Sequence, residues 1–184
     1  MAGRALTPRS LRPRRIIGIH PGSAGNACNL PAEVYGELAA ALLEKTDCAL
    51  IITGTAAEQS LVANWPPEIL GSERTWISMG QINVRELAAV VSDMAVYVCS
   101  STGPLHLASA AGTSTVSPFC PMPPLCATIW GNAGARARVV EPAACPQKTG
   151  AHTCCDFRGL ISAESIVEAV LEMLPRPLNG GPKS

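Results

Sequence analysis

The sequence predicts an α/β domain built on a parallel sheet with helices on both faces. Three observations carry this. Short apolar runs recur with few polar residues in them, as strands buried on both faces require. Between them lie segments whose apolar residues repeat at helical spacing. Ser, Thr and Gly cluster where the runs end, which suits tight strand-to-helix turns.

Arg15 to His20 reads as the first strand, with Ile16, Ile17 and Ile19 as its apolar content. His20-Pro21-Gly22-Ser23-Ala24-Gly25 follows as a turn-rich loop. Pro31 suits a first helical turn, and Val34, Leu38, Ala41 and Leu42 then repeat at helical spacing to about Lys45. Cys48 to Thr53 is a continuous strand-like run ending at Gly54, with a helix-like stretch from Ala56 to Ala63 behind it. Thr75-Trp76-Ile77 is a short strand. Val84, Leu87, Ala88 and Val91 form the next helical face. A strand over Ala95–Cys99, a helix over Leu105–Ala111 and a strand over Thr115–Phe119 follow. Pro118, Pro121, Pro123 and Pro124 mark a loop, and residues 142–160 are rich in breakers. A last amphipathic helix runs from about Ser162 to Leu174, burying Ile166, Val167, Val170, Leu171 and Leu174. Ser162 is its N-cap, and Glu164 adds negative charge near the positive helix end.

The chain has 184 residues, enough for one domain with a full core. Apolar residues make up 47% and charged residues 15%, a globular rather than a disordered composition. No apolar run approaches the roughly 20 residues that span a bilayer. Net charge is zero, so nothing global argues for a nucleic-acid partner. The charge is uneven, however: Arg4, Arg9, Arg12, Arg14 and Arg15 all precede the first acid, Glu33. Organelle transit peptides share that pattern, but Pro8 and Pro13 interrupt an amphipathic helix; a solvated linker or a membrane-surface contact is the better reading. Residues 1–14 are expected as a flexible basic leader, 15–175 as the folded domain and 176–184 as a tail. Eight cysteines are many for this length. Cys48 and Cys99 sit in strand-like runs, where cysteine behaves as a small hydrophobe. With no secretory signal in front, a reduced cytoplasmic setting is expected over a disulfide framework.

Residues 101–112, Ser-Thr-Gly-Pro-Leu-His-Leu-Ala-Ser-Ala-Ala-Gly, are the most informative stretch. They link the apolar run Val96-Tyr97-Val98-Cys99 to a helical segment. Such a turn directs backbone N–H groups and a hydroxyl outward at a helix N-terminus, where phosphate binds well. Gly22-Ser23, Thr53-Gly54 and Ser101-Thr102-Gly103 all fall at the carboxyl ends of strands, where parallel sheets bind ligands.

Together these residues resemble the C-terminal domain of glycosyltransferase family 9, the lipopolysaccharide heptosyltransferases. The matching stretches are His20-Pro21-Gly22-Ser23, then Cys28-Asn29-Leu30-Pro31, then Thr53-Gly54-Thr55 with Glu58. Downstream come Leu87-Ala88-Ala89, Ser101-Thr102-Gly103-Pro104-Leu105-His106-Leu107-Ala108, Ala110-Ala111-Gly112-Thr113 and Phe119-Cys120-Pro121-Met122-Pro123-Pro124. The resemblance covers roughly residues 15–174 and implies the Rossmann-like, C-terminal half of a GT-B enzyme. It implies a donor site made by Gly22, Ser23, Glu58, Ser101, Thr102, Gly103, Pro104 and His106. The implied donor is a nucleotide-diphosphate sugar, usually ADP-heptose. The implied acceptor is a glycan of the lipopolysaccharide-core type, reached at the inner face of the cytoplasmic membrane. No metal or other cofactor is required. The general base and acceptor site belong to an N-terminal domain that this chain lacks, unless a separate chain supplies it.

Three positions depart from the family pattern. Its donor-phosphate Lys falls on Cys28, its motif Asp on Ser101 and its aromatic on Leu30. Charge-assisted contacts are roughly twice as strong as neutral ones, so weaker or altered donor binding is expected.

Each residue also has a plainer reading. Gly22 and Ser23 could simply form a tight turn. His106 could be a hydrogen-bonded core residue rather than a phosphate contact. Glu58 could be a solvated helix-start carboxylate rather than a ribose acceptor. Ile82, near an adenine-contacting position of the family, reads better as core. Cys145, His152, Cys154 and Cys155 lack the second clean Cys pair that zinc sites favour, so a loop with incidental thiols is expected. Two rival functions follow: a catalytically degenerate nucleotide-binding or interaction module, and a dinucleotide oxidoreductase. The second lacks Gly-x-Gly-x-x-Gly after the first strand.

Overall fold

Six parallel strands form one sheet in the order β3-β2-β1-β4-β5-β6. They are β1 (Ile16–His20), β2 (Ala49–Ile52), β3 (Thr75–Ile77), β4 (Val96–Cys99), β5 (Ser114–Pro118) and β6 (Ala137–Val140). The computed structural model describes residues 15–25, 27–131, 136–144 and 156–175. The expected leader, the tail and the cluster Cys145, His152, Cys154 and Cys155 lie outside these residues.

The helices are α1 (Ala32–Lys45), α2 (Pro67–Leu70), α3 (Val84–Ser92), α4 (Gly103–Ala110), α5 (Ala127–Trp130) and α6 (Ala163–Met173). Strand alternation sorts the core into two layers. Ile17, Ile19, Leu50, Ile52, Val96 and Val98 point to the side where Leu38, Leu42, Ile166 and Val170 of α1 and α6 pack. Ile16, Ala49, Ile51, Tyr97 and Cys99 point to the other, against Val90, Val91, Leu105 and Ala108 of α3 and α4. Both faces are thus covered, which is why the central strands carry no exposed residue. Cys48 and Cys99 are fully buried, as expected of small hydrophobes. None of the five described cysteines is in a disulfide.

Several elements differ from the sequence-based expectation. The helix-like stretch after β2 is a 3₁₀ helix, Ala56–Val62, as short connectors often are. Strand β6 and the four-residue helices α2 and α5 carry too short a periodic signal to be found. Val84 is 72% exposed. It sits in the first turn of α3, beyond the cover of the sheet. Leu171 is exposed, because Ile166, Val167 and Val170 already fill the narrow buried stripe of α6. Within the breaker-rich stretch Phe157 is fully buried, its N–H donating to the Asn29 carbonyl at 3.1 Å.

Gly18 has a steric reason. A Cβ there would lie 2.3 Å from Met94 Sδ and 2.4 Å from Tyr97 Cδ2. Gly18→Ala is therefore expected to destabilise the fold by about 1–3 kcal/mol through overpacking. Gly103 faces open space, and a Cβ there would meet nothing within 4 Å. Gly103→Ala should change stability by less than about 1 kcal/mol. Denaturant unfolding of both variants checks the contrast.

Candidate functional site: a cleft at the strand ends

Strand order reverses direction between β1 and β4, and the chain leaves the sheet to opposite sides there. Parallel sheets bind ligands at such a switch point, outside the carboxyl ends of the strands. A cleft of about 710 Å³ opens at this place. Its walls come from the loops after β1, β2 and β4 and from α3: Ser23, Thr53, Gly54, Glu58, Asn83 and Thr102 are among them. The three small-residue turns singled out in the sequence therefore meet on one edge.

The floor is a buried polar chain. His20 Nδ1 lies 3.0 Å from Thr53 Oγ1, which lies 2.7 Å from Tyr97 Oη. Thr53 Oγ1 also reaches the Ile19 carbonyl at 3.4 Å. When the Thr53 hydroxyl donates to that carbonyl, it accepts from both Tyr97 and His20, and His20 Nε2 is the bare nitrogen. Burial pushes the His20 pKa below its ordinary value, against the smaller opposing pull of the Glu58 charge. His20 is thus neutral in the folded protein at neutral pH. Tyr97 is fully buried, and burial pushes its phenol well above the usual range.

Glu58 ties two loops together. Its Oε2 accepts from the Thr55 N–H at 2.8 Å and from Thr55 Oγ1 at 2.9 Å, completing a capping box. Partial burial works against its charge. The hydrogen bonds from Thr55 and from the Ala24 backbone, together with nearby His20, outweigh burial and lower its pKa. Gly22 lies behind it: a Cβ there would fall 1.9 Å from Glu58 Oε1. Gly22 is buried and makes room for this carboxylate, while its neighbour Ser23 lines the cleft. Asn29 holds the rest of the loop. Its Nδ2 donates to the Pro21 carbonyl at 2.8 Å, and its Oδ1 accepts from the Leu30 N–H and from Tyr35 Oη.

Helix α4 aims its N-terminus at the cleft. Thr102 is the N-cap, with extended backbone, but its hydroxyl makes no capping bond. That hydroxyl has only a long 3.4 Å contact to the Ser100 carbonyl. No acidic residue sits in the first turn of α4, unlike α1, α3 and α6. No side chain of its own first turn neutralises the positive helix end. Gly103 and Pro104 line the cleft beside Thr102. His106 is exposed and lies on its wall, so it is not a core residue.

Two expected residues are placed elsewhere. Ser101 lines a smaller adjoining pocket with Cys28, not the large cleft. Cys28 is only 3% exposed. Ile82, expected in the core, is half-buried on the cleft wall. In the sequence His20 and Thr53 read only as loop and strand-end residues, although both sit in the family-like motifs. Their role depends on Tyr97 crossing from β4, which no local pattern reveals. Among the described residues, no Lys or Arg lines the cleft. Among the described residues, no group of His, Cys, Asp and Glu is placed to hold a metal, and no helix is long and apolar enough to cross a membrane.

The fold and the cleft define a Rossmann-like domain with a site at its topological switch point. Residues 3–154 match the model of glycosyltransferase family 9 (heptosyltransferase), and the chain belongs to this family. A protein of Haemophilus influenzae, named provisionally as a glycosyltransferase, is 30% identical over 103 residues, covering 56% of this chain and 30% of that protein. The solved ADP-heptose lipopolysaccharide heptosyltransferase II of E. coli superposes with a TM-score of 0.66 at 21% identity, over 87% of this chain and 46% of that one. The E. coli heptosyltransferase WaaC, solved with ADP, gives 0.64 at 13% identity, over 90% and 46%. The chain thus spans less than half the length of each of these relatives. At such identities the superpositions establish the shared fold.

The neutral, buried His20 gives a pH prediction. Between its lowered folded pKa and the ordinary value near 6.5, the unfolded chain carries a proton that the folded chain does not. Stability therefore falls as pH falls through that window. The thermal midpoint should drop between about pH 7.5 and about pH 5.5. His20→Gln should flatten that part of the curve. A circular-dichroism melting series on both proteins is the check; an equal slope in the variant assigns the effect elsewhere.

Proposed function

We propose that this chain is the donor-binding part of a glycosyltransferase. It would hold a nucleotide-diphosphate sugar, with ADP-heptose the first candidate, for transfer to a glycan of the lipopolysaccharide-core type. The observation that carries the reading is the 710 Å³ cleft at the β1–β4 switch point, walled by an α4 N-terminus without acid of its own. A diphosphate suits that end of the cleft: it accepts from N–H groups and from the uncommitted Thr102 hydroxyl, and its charge complements the helix end. Ser23 faces the same space. Glu58 would accept from ribose hydroxyls, and the base would lie among Ile82, Val84 and Leu87 of the outer wall. The ADP bound by WaaC supports the ligand class. Stabilising the departing diphosphate needs only preorganised donors, so this scheme uses no metal.

The acceptor site and the base that deprotonates the acceptor would come from a further domain or from a separate polypeptide. On this reading the protein works in the cytoplasm, at the inner membrane surface. A second reading, a binding module without catalysis, is favoured by one observation: among the described residues no Lys or Arg lines the cleft.

Calorimetric titration with ADP, UDP and GDP tests the proposal. One nucleotide should bind saturably, and Thr102→Val should weaken it by roughly three- to tenfold, the worth of one hydrogen bond. No binding up to about millimolar ligand would sink the donor-site reading.

A further inference from the structure

The large cleft does not end at the α4 N-terminus. A second pocket, of about 310 Å³, opens beside it, and Thr102, Gly103 and His106 line both. A ligand with its phosphates at that helix end therefore has two exits, one into each space. The second pocket is made of different material. Ala27, Phe119, Leu125 and Trp130 line it, and among the described residues no Asp, Glu, Lys or Arg does.

Trp130 is the side chain that fold stability does not explain. It is 49% exposed, whereas Trp65 is 4% exposed in the core. Helix α5, which carries it, contributes no buried residue. The ring is nevertheless fixed, because its Nε1–H donates to the Pro124 carbonyl at 2.9 Å. The polar edge is satisfied, and an apolar ring surface remains at the pocket.

We infer that this second pocket receives the glycosyl group of the donor and that Trp130 is the surface on which the sugar ring packs. The inference rests on the donor-binding reading above. A sugar presents apolar C–H faces between its hydroxyls, and an aromatic ring with a satisfied polar edge suits them. The volume equals that of about ten liquid waters, the scale of one monosaccharide. Ser101 and Thr102 supply neutral hydrogen-bonding partners at the phosphate end. Among the described residues the lining holds no Asp, Glu, Lys or Arg, which suits a neutral sugar rather than an acidic or amino sugar.

The test titrates the full chain with ADP, ADP-heptose and ADP-glucose, as wild type, Trp130→Ala and Trp130→Phe. ADP should bind wild type and Trp130→Ala alike. At least one of the two ADP-sugars should bind wild type about tenfold more tightly than ADP. Trp130→Ala should abolish that gain, and Trp130→Phe should keep most of it. That sugar nucleotide, but not ADP, should shield tryptophan fluorescence from acrylamide in the wild type, because Trp130 is the exposed member of the three tryptophans. If Trp130→Ala does not fold, the Phe variant and the shielding decide. A gain that survives Trp130→Ala, a loss equal for ADP and its sugars, shielding by ADP itself, or no gain with either sugar overturns the assignment while leaving the nucleotide site standing. If the wild type binds none of ADP, UDP, GDP and the two ADP-sugars, both readings are overturned.

Discussion

The site depends on a contact between three strands, the buried chain from Tyr97 through Thr53 to His20. A parallel sheet covered on both faces leaves only its strand ends for chemistry. Those ends serve a ligand only if the loops leaving them keep fixed relative positions. Here β4 sends a tyrosine hydroxyl to the end of β2, and β2 sends its own hydroxyl to the last residue of β1. Gly18 on the middle strand leaves the space the Tyr97 ring occupies. A buried polar group without partners would cost about 1–3 kcal/mol, so each member of the chain holds the others in register.

The second layer of the design is the carboxylate of Glu58. It bridges the loop after β2 to the loop after β1, and Gly22 is small because the carboxylate needs the room. This places a negative charge on the wall of a cleft whose far end carries a positive helix terminus. The two are suited to different parts of one ligand: hydroxyls near Glu58, phosphates near Thr102. Among the described residues no lysine or arginine lies on the wall, so on the donor-binding reading phosphate binding would rest on neutral donors. These contribute about 0.5–1.5 kcal/mol each, where charged partners contribute about 1.5–3. Cys28 stands where the family carries a lysine, and its thiol is buried in the smaller pocket. The difference is large enough to separate a tight donor site from a weak one on this single position.

Much of the fold was legible because the strands are uninterrupted apolar runs. Ile16–His20, Ala49–Ile52 and Val96–Cys99 could hardly be anything else once turns bounded them. The cleft was legible in outline, because Ser23, Gly54 and Thr102 each end a strand-loop unit. What stayed hidden involves partners far apart in sequence. His20 and Thr53 are 33 residues apart, and Thr53 and Tyr97 are 44. Gly22 reads in the sequence as a turn or phosphate-loop glycine, and its close approach to Glu58, 36 residues away, leaves no local mark. Ser101 and Thr102 are neighbours in sequence and share the smaller pocket, yet only Thr102 also reaches the large cleft. Trp130 lies on a four-residue helix too short for periodicity to mark.

The groups in the cleft also limit the chemistry the domain can perform alone. Glu58 is held as a carboxylate by hydrogen bonds that lower its basicity. His20 is neutral, but it is buried and its Nδ1 is engaged with Thr53. Neither has the raised carboxyl pKa or the free access of a general base working near neutral pH. Glu58 and His20 are therefore poorly suited to removing a proton, and His106 is the exposed histidine on the same wall. On the donor-binding reading, leaving-group stabilisation and acceptor activation are then separate tasks on separate surfaces. The first can be built from helix-end N–H groups and hydroxyls on this domain. The second needs a group whose basicity is set by a different environment, facing the sugar from outside the pocket beside Trp130.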